Sequence, residues 1–242
     1  MGQFGLIGRS LQHSFSKAYF TNKFKELGID ALYSNLECET IEEIRAVLSN
    51  SEMIGYNVTI PYKTAIIPFL DELDPLAKAV GAVNTIKRIN DKLIGYNTDI
   101  YGFKQMIKPF FKSHHERAVI FGTGGASKAV AYVLEDLGAN VIYISRSPEA
   151  INEFGYDEVN DIMMNSCHIL VNTTPVGTFP NAETVLPIPT EYLTSKHLVI
   201  DLIYNPKETK LLTLAKEQGA WILNGQTMLH QQAEKAWEIW SS

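Results

Sequence analysis

The sequence predicts an α/β protein of two domains, the second built on a doubly wound parallel sheet. Three observations carry that expectation. From Arg117 onward, short apolar runs alternate with helix-like stretches, the order of a parallel sheet with crossover helices. Near the middle of the chain, Ala118-Val119-Ile120-Phe121 feeds the turn Gly122-Thr123-Gly124-Gly125, and a helical stretch continues from Ala126 to Leu137. Before Arg117 the pattern is different: strands and helices are interleaved with a hairpin, so the first half reads as a separate mixed α/β unit.

Taken in order, Phe4-Gly5-Leu6-Ile7-Gly8 reads as a first strand, and the polar stretch from Ser10 to Ser16 as a loop. The following helix has Tyr19/Phe20, Phe24 and Leu27 on one face and Gly28 as its stop. Thr40-Ile41-Glu42-Glu43 opens the next helix as a capping box, with Ile41, Ile44 and Leu48 as its buried stripe. Met53 to Val58 is a strand ending in the polar turn Thr59 to Lys63. Asn90-Asp91 turns the strand Ala82–Arg88 back into Lys92–Tyr96, a hairpin with its own turn chemistry. A helix after Asn97-Thr98-Asp99 carries Ile100, Phe103, Ile107 and Phe110 at helical spacing. The expected strands of the second half are Ala118–Phe121, Val141–Ser145, Ile169–Asn172, Leu198–Asp201 and Trp221–Leu223, with a final helix from Met228 to Trp240.

Composition narrows the function classes. A chain of 242 residues, 45% hydrophobic and 20% charged, suits one or two domains with sizeable cores. The net charge of −6 is dispersed and no basic face suggests nucleic acid. Two cysteines in unrelated contexts argue against a disulfide framework and suit a reducing cytoplasm. The six histidines show no ligand spacing, so no metal site is expected. No apolar run approaches the ~20 residues of a membrane helix, and the N-terminal residues do not read as a signal peptide.

The glycine turn points to a dinucleotide. Strand, tight turn and helix in that order lay a pyrophosphate on a helix N-terminus, and glycines let the backbone approach it. Ser127 stands where a third glycine is usual. The second strand of this half ends in Ser145-Arg146-Ser147, with no acid to hold bare ribose hydroxyls. A guanidinium between two hydroxyls favours a 2′-phosphate, hence NADP over NAD.

In the first half, polar clusters gather where strands end: His13 to Ser16, Asn57 to Lys63, Ala82 to Thr85 and Asn97 to Asp99. Hydroxyls and amides dominate, with one lysine and one aspartate, a set suited to a hydroxyl-rich substrate and a single proton transfer. Each has a bland alternative: Ser14 and Ser16 as helix caps, Asn57, Asn84 and Asn97 as turn residues, Lys63 as a solvated cation, Asp99 as a cap.

These pieces together resemble the shikimate dehydrogenase family over nearly the whole chain. The matching motifs are His13-Ser14-x-Ser16, Asn57-Val58-Thr59-x-Pro61-x-Lys63, Ala82-Val83-Asn84-Thr85 and Gly95-x-Asn97-Thr98-Asp99-x-x-Gly102. Gly122-x-Gly124-Gly125-Ala126, Ser145-Arg146-Ser147, Asn172-Thr173-Thr174-Pro175-x-Gly177, Asp201-Leu202-x-Tyr204-Asn205-Pro206 and Gly225-x-x-Met228-Leu229-x-x-Gln232-Ala233 continue the series. The resemblance implies a substrate domain over residues 1–100, joined by a returning helix over 225–242, and a Rossmann-like NADP domain over 101–224. It implies reversible reduction of 3-dehydroshikimate to shikimate with NADP(H), on the route to chorismate and the aromatic amino acids. Ser14, Ser16, Thr59, Asn84, Asp99, Tyr204 and Gln232 would bind substrate, and Lys63 with Asp99 would be catalytic. Gly122, Gly124, Gly125 and Ala126 would cradle the pyrophosphate, Ser145, Arg146 and Ser147 the 2′-phosphate. Thr173, Gly225 and Met228 would place the nicotinamide. Glu149 stands where some relatives carry a second arginine. A monomer or homodimer is expected, without nucleic acid or membrane as partner. A quinate/shikimate dehydrogenase of relaxed choice and a non-catalytic nucleotide-responsive module are the alternatives.

Overall fold

The computed structural model describes residues 1–12 and 14–242; His13, part of the first polar motif, lies outside the described residues. The chain divides into two compact units, Met1–Thr98 with Ala233–Ser242, and Asp99–Gln232.

The first unit is built on β1 (Gly2–Gly8), α1 (Phe15–Glu26), β2 (Ala31–Glu37), α2 (Ile41–Leu48), β3 (Met53–Val58), β4 (Glu72–Leu73), α3 (Pro75–Val80), β5 (Thr85–Ile89) and β6 (Lys92–Tyr96). Its sheet has the order β2-β1-β3-β5-β6-β4 and is mixed: β1 is parallel to β2 and β3, and β5 is antiparallel to both its neighbours. Local chemistry explains most of these boundaries. The apolar stripe of α1 buries Phe20 and Phe24, and Gly28 leaves the helix at φ +64, where a Cβ is disfavoured. Thr40 Oγ1 accepts from the Glu43 N–H, while the Glu43 carboxylate reaches back to the Glu39 N–H. Asn90 and Asp91 both take positive φ, the geometry that a two-residue hairpin turn requires between β5 and β6.

The second unit contains α4 (Asp99–Ile107), β7 (Arg117–Phe121), α5 (Gly125–Asp136), β8 (Asn140–Ile144), β9 (Glu153–Phe154), α6 (Asp161–Ser166), β10 (Ile169–Asn172), β11 (Leu198–Asp201), α7 (Lys210–Glu217), β12 (Trp221–Asn224) and the start of α8 (Gln226–Ser241). Its six strands are all parallel in the order β12-β11-β10-β7-β8-β9, so the strand order reverses direction between β7 and β10. That reversal is the topological switch point at which open α/β sheets bind ligands. Strands β7, β10 and β11 are buried on both faces from Ala118, Ile169 and Leu198 onward, which is why they read as unbroken apolar runs. Among the described residues no helix is long and apolar enough to cross a membrane.

The final helix contributes residues to both units. Within the second unit, Gly102 of α4 lies so close to α8 that a Cβ there would come within 2.6 Å of the Met228 carbonyl oxygen. From Ala233 onward α8 belongs to the first unit, where Trp240 Nε1 donates to the Ile86 carbonyl at 2.9 Å. Gly55 of β3 has no side chain where the Trp240 indole lies, so a Cβ there would collide with the ring.

Candidate functional site

In the first unit the polar residues singled out at strand ends form a buried chain of hydrogen bonds. Asn84 and Thr98 are 3% and 1% exposed. Asn84 Oδ1 accepts from the Thr98 N–H at 2.7 Å, and its Nδ2 donates to Thr98 Oγ1 at 3.0 Å. Asn57 Nδ2 donates to the Asn84 carbonyl and to Thr85 Oγ1. A backbone carbonyl can only accept, so the Asn57 amide is oriented with Oδ1 towards Tyr33, whose hydroxyl donates to it at 2.7 Å. The Ser16 side chain lies close enough to the Tyr33 hydroxyl to act on its pKa. Burial pushes the Tyr33 phenol well above its ordinary value, so the group keeps its proton and remains a donor. Asn57, Asn84 and Asn97 are thus not surface turn residues; each side chain is buried and fixed by hydrogen bonds.

Ser14 occupies the N-cap position of α1 but makes no side-chain cap bond. Its Oγ is buried with no partner among the described residues, which leaves a donor and acceptor available to a ligand. Ser16 lies in the first turn of the same helix. Thr59 follows β3, its N–H donating to the Ile7 carbonyl, and its Cγ2 would lie 2.6 Å from a Cβ at Gly8. Gly8 therefore lets β1 and the Thr59 turn close up. Lys63 is half-buried, and its carbonyl accepts from the Val83 N–H at 2.7 Å, which ties the Lys63 segment to the stretch leading into Asn84.

Asp99 begins the second unit as the first residue of α4 and is 5% exposed. Gln232 lies half-buried beside Gly102, one turn along the helix that Asp99 opens. Met228, in the first turn of α8, is buried. Gly225 donates its N–H to the Ile203 carbonyl, and a Cβ at this position would collide with the Leu202 carbonyl. Tyr204, 38% exposed, follows in the same loop as Ile203.

The glycine turn shows which of its glycines answer to the protein and which to a ligand. Gly122 has φ +100, and a Cβ on it would lie 3.0 Å from Thr173 Oγ1. Gly124 is the N-cap of α5 with no side-chain cap bond, and a Cβ on it would meet nothing within 4 Å. That open space faces a helix N-terminus, the arrangement that receives a pyrophosphate. Gly125 and Ala126 form the first turn of α5. Ser127, fully buried, donates from Oγ to the Gly124 carbonyl at 2.6 Å, so the hydroxyl in the third-glycine position is satisfied inside the turn.

At the tip of β8, Ser145 and Ser147 bond each other across Arg146, with the Ser147 N–H donating to Ser145 Oγ at 3.2 Å. Arg146 is exposed and its charge acts on Tyr156, whose ring stacks on Phe121 at a centroid distance of 6.3 Å. The cation is thereby presented beside the strand that enters the glycine turn. Thr173 Oγ1 donates to the Phe121 carbonyl at 2.7 Å, holding the end of β10 against the same strand.

Sequence reasoning placed Asp201 in a family motif but gave no role to this buried carboxylate, which orders the loops at this end of the sheet. Asp201 accepts from Thr209 Oγ1 at 2.6 Å, from the Ile203 N–H and from Asn172 Nδ2. Asn172 Oδ1 in turn accepts from the Thr174 N–H and hydroxyl. Burial raises the Asp201 carboxyl above its ordinary value, and the three donors pull it back. Tyr33 was also missed: its partner is 24 residues away, and the strand that carries it, β2, was not among the expected elements.

A parallel sheet with a switch point, an uncapped helix N-terminus facing open space and an exposed arginine at the neighbouring strand tip define a dinucleotide-binding α/β protein. Comparison with known proteins makes this specific. The pattern of the shikimate dehydrogenase substrate binding domain matches residues 6–86. A shikimate dehydrogenase (NADP(+)) from Methanosphaera stadtmanae is 37% identical over 256 aligned residues, covering 98% of this chain and 90% of its own. A crystal structure of a shikimate dehydrogenase in complex with NADP+ superposes with a TM-score of 0.90 at 33% identity, over 100% of this chain and 90% of that one. The shikimate 5-dehydrogenase of Thermus thermophilus, in complex with NADP(H) and shikimate, gives 0.87 at 28% identity over 100% and 94%. The chain belongs to the shikimate dehydrogenase family.

Proposed function

We propose that this chain catalyses the reversible, NADPH-dependent reduction of 3-dehydroshikimate to shikimate, a step towards the aromatic amino acids. The observation that carries this is the match to shikimate dehydrogenases over 98% of the chain at 37% identity. Two features of the chain itself support it: the buried Ser14 hydroxyl, which has no partner among the described residues, and the open space at Gly124. In this reading residues 1–100 with 225–242 form the substrate domain and 101–224 the NADP domain. Both cysteines are free and buried, which suits a reducing cytoplasm.

The residues present suit NADP(H). The uncapped first turn of α5 offers backbone N–H groups to a pyrophosphate, with Gly122, Gly124, Gly125 and Ala126 around it. Arg146, between the Ser145 and Ser147 hydroxyls, holds the 2′-phosphate, and Thr173, Gly225 and Met228 border the nicotinamide. When bound, NADPH supplies the hydride for the ketone carbon. Ser14, Ser16, Thr59, Asn84, Asp99, Tyr204 and Gln232 hold the hydroxyls and carboxylate of the substrate. The Lys63 ammonium stabilises charge developing on the ketone oxygen and delivers the proton; in the oxidative direction its neutral amine accepts it. Asp99 orients the Lys63 ammonium and the reacting hydroxyl.

Following NADPH absorbance with shikimate and quinate, each offered with NADP and with NAD, tests the reading. It requires the highest kcat/KM for shikimate with NADP. Faster turnover of quinate, or equal use of NAD, would reassign the substrate or the cofactor, and no turnover with any pair would leave a binding module.

A further inference from the structure

Two residues on one face of the edge strand β2 hold the stretch between β1 and α1 through side-chain hydrogen bonds. Tyr33, Asn35 and Glu37 are alternate residues of that strand and so project to the same side of the sheet. Tyr33 donates to Asn57 Oδ1 at 2.7 Å and lies beside Ser16. Asn35 Nδ2 donates to the Leu11 carbonyl at 2.9 Å, and Glu37 Oε1 accepts from the Leu11 N–H at 2.6 Å. Leu11 is thus held at both of its backbone polar groups by side chains lying 24 and 26 positions along the chain. Its own side chain is 3% exposed, packed in the cluster that contains Phe20 and Trp240.

That fixed residue sets the start of α1. The Leu11 carbonyl that takes the Asn35 amide also accepts the Ser14 N–H at 3.0 Å, so the position of the N-cap residue follows from the clamp. On the opposite side the loop is confined by Gly8, where a Cβ would come within 2.6 Å of both Leu11 Cδ2 and Thr59 Cγ2. Leu11, held at both backbone polar groups and confined by Gly8, fixes Ser14, whose buried hydroxyl has no partner among the described residues, so the pair is preorganised for a ligand rather than for its own stability. The bond to Glu37 is charge-assisted, and it acts on a backbone N–H that no helix or strand satisfies.

We propose that Asn35 and Glu37 are positioning residues for the substrate: by clamping the Leu11 peptide groups they set Ser14 and Ser16 in the geometry that receives the hydroxylated carboxylic acid. This rests on the assignment of Ser14 and Ser16 to substrate. Neither Asn35 nor Glu37 touches the ligand in this account. Glu37→Gln keeps an acceptor oxygen for the Leu11 N–H, whereas Glu37→Ala removes it. Asn35→Ala removes the donor to the Leu11 carbonyl and is an independent lesion of the same clamp.

The experiment has two arms. Hydrogen exchange of the segment spanning residues 9–16 should accelerate in Glu37→Ala and Asn35→Ala and stay near the parent rate in Glu37→Gln. Steady-state kinetics of the two Ala variants should show KM for shikimate raised about tenfold, the equivalent of about one lost hydrogen bond. KM for NADP should stay within about twofold, and Glu37→Gln should restore most of the shikimate affinity. Unchanged exchange in both Ala variants would overturn the clamp itself. Faster exchange with an unaltered shikimate KM, or an equal rise in both KM values, would overturn its role towards substrate. A parent protein that does not turn over shikimate would instead remove the assigned reaction, while the exchange arm still decides the clamp.

Discussion

Replacing Tyr33 by Phe removes one oxygen from the end of the buried chain of bonds that runs from Tyr33 to Thr98. The ring is 1% exposed and stacks on Phe20 at 4.7 Å with an interplanar angle of 15°, contacts that Phe keeps, so no cavity opens. What is lost is the donor to Asn57 Oδ1. The Asn57 amide has no way to turn over and escape, because its Nδ2 is committed to the Asn84 carbonyl and Thr85 Oγ1. A buried acceptor left without a donor costs about 1–3 kcal/mol. Taking about 2 kcal/mol, and about 2–4 °C per kcal/mol for a chain of this size, the melting temperature should fall by about 4–8 °C. Shikimate KM should rise in the same variant, because the hydroxyl beside Ser16 is lost and the Asn57–Asn84 bonds loosen, while NADP KM holds. Tyr56→Phe provides the comparison: its hydroxyl donates to the Val47 carbonyl, away from this chain of bonds, and should lower stability without touching KM. Thermal unfolding followed by circular dichroism, with kinetics on the same samples, reads both effects. A Tyr33→Phe protein that melts within about 1 °C of the parent and keeps its shikimate KM would refute the reasoning.

Further outcomes follow from the second unit. His115 is 4% exposed and accepts the Lys112 N–H at Nδ1; burial first, then the nearby His114 charge, lower its pKa from 6.5 to about 4. The unfolded chain therefore binds more protons between those values, so the stability contribution is full above pH 6.5 and lost as pH falls towards 4, at most about 3 kcal/mol. Urea titrations across that range should show the loss, reinforced by His197, whose pKa burial also lowers, and His115→Asn should flatten it. Gly122→Ala should destabilise by more than about 1 kcal/mol, since φ +100 disfavours any Cβ, and should raise NADP KM; a neutral effect would mean that the turn relaxes freely. Arg146→Ala should weaken NADP by about 1.5–3 kcal/mol and leave NAD use unchanged, and equal losses for both cofactors would remove Arg146 from the 2′-phosphate.

Much of the fold was legible because local chemistry and tertiary structure agree. The Thr40 cap, the Asn90-Asp91 turn and the unbroken apolar strands each specify their element from within a few residues. The two-residue strand β9 was not legible: eight residues join it to β8 with no helix between, too short a signal for any periodicity. Ser127 departs from the usual glycine pattern in a way that the family resemblance explains, and its hydroxyl bonds the Gly124 carbonyl. The motif residues Asn57 and Asn84 were found as residues but not as a network, since their partners are set by strand pairing rather than by spacing. Tyr33, Asn35 and Glu37 gave no functional signal, because the strand that carries them was not expected and their partners lie in a distant stretch of chain. Their meaning comes from a loop more than twenty residues earlier.

The central claim is that Lys63 moves the proton while NADP(H) carries the hydride. Steady-state turnover of Lys63→Ala with shikimate and NADP tests it most directly. The account predicts a fall in kcat of about 10²–10⁴-fold, well beyond any rise in shikimate KM, with NADP affinity unchanged. Turnover near that of the parent protein would contradict it.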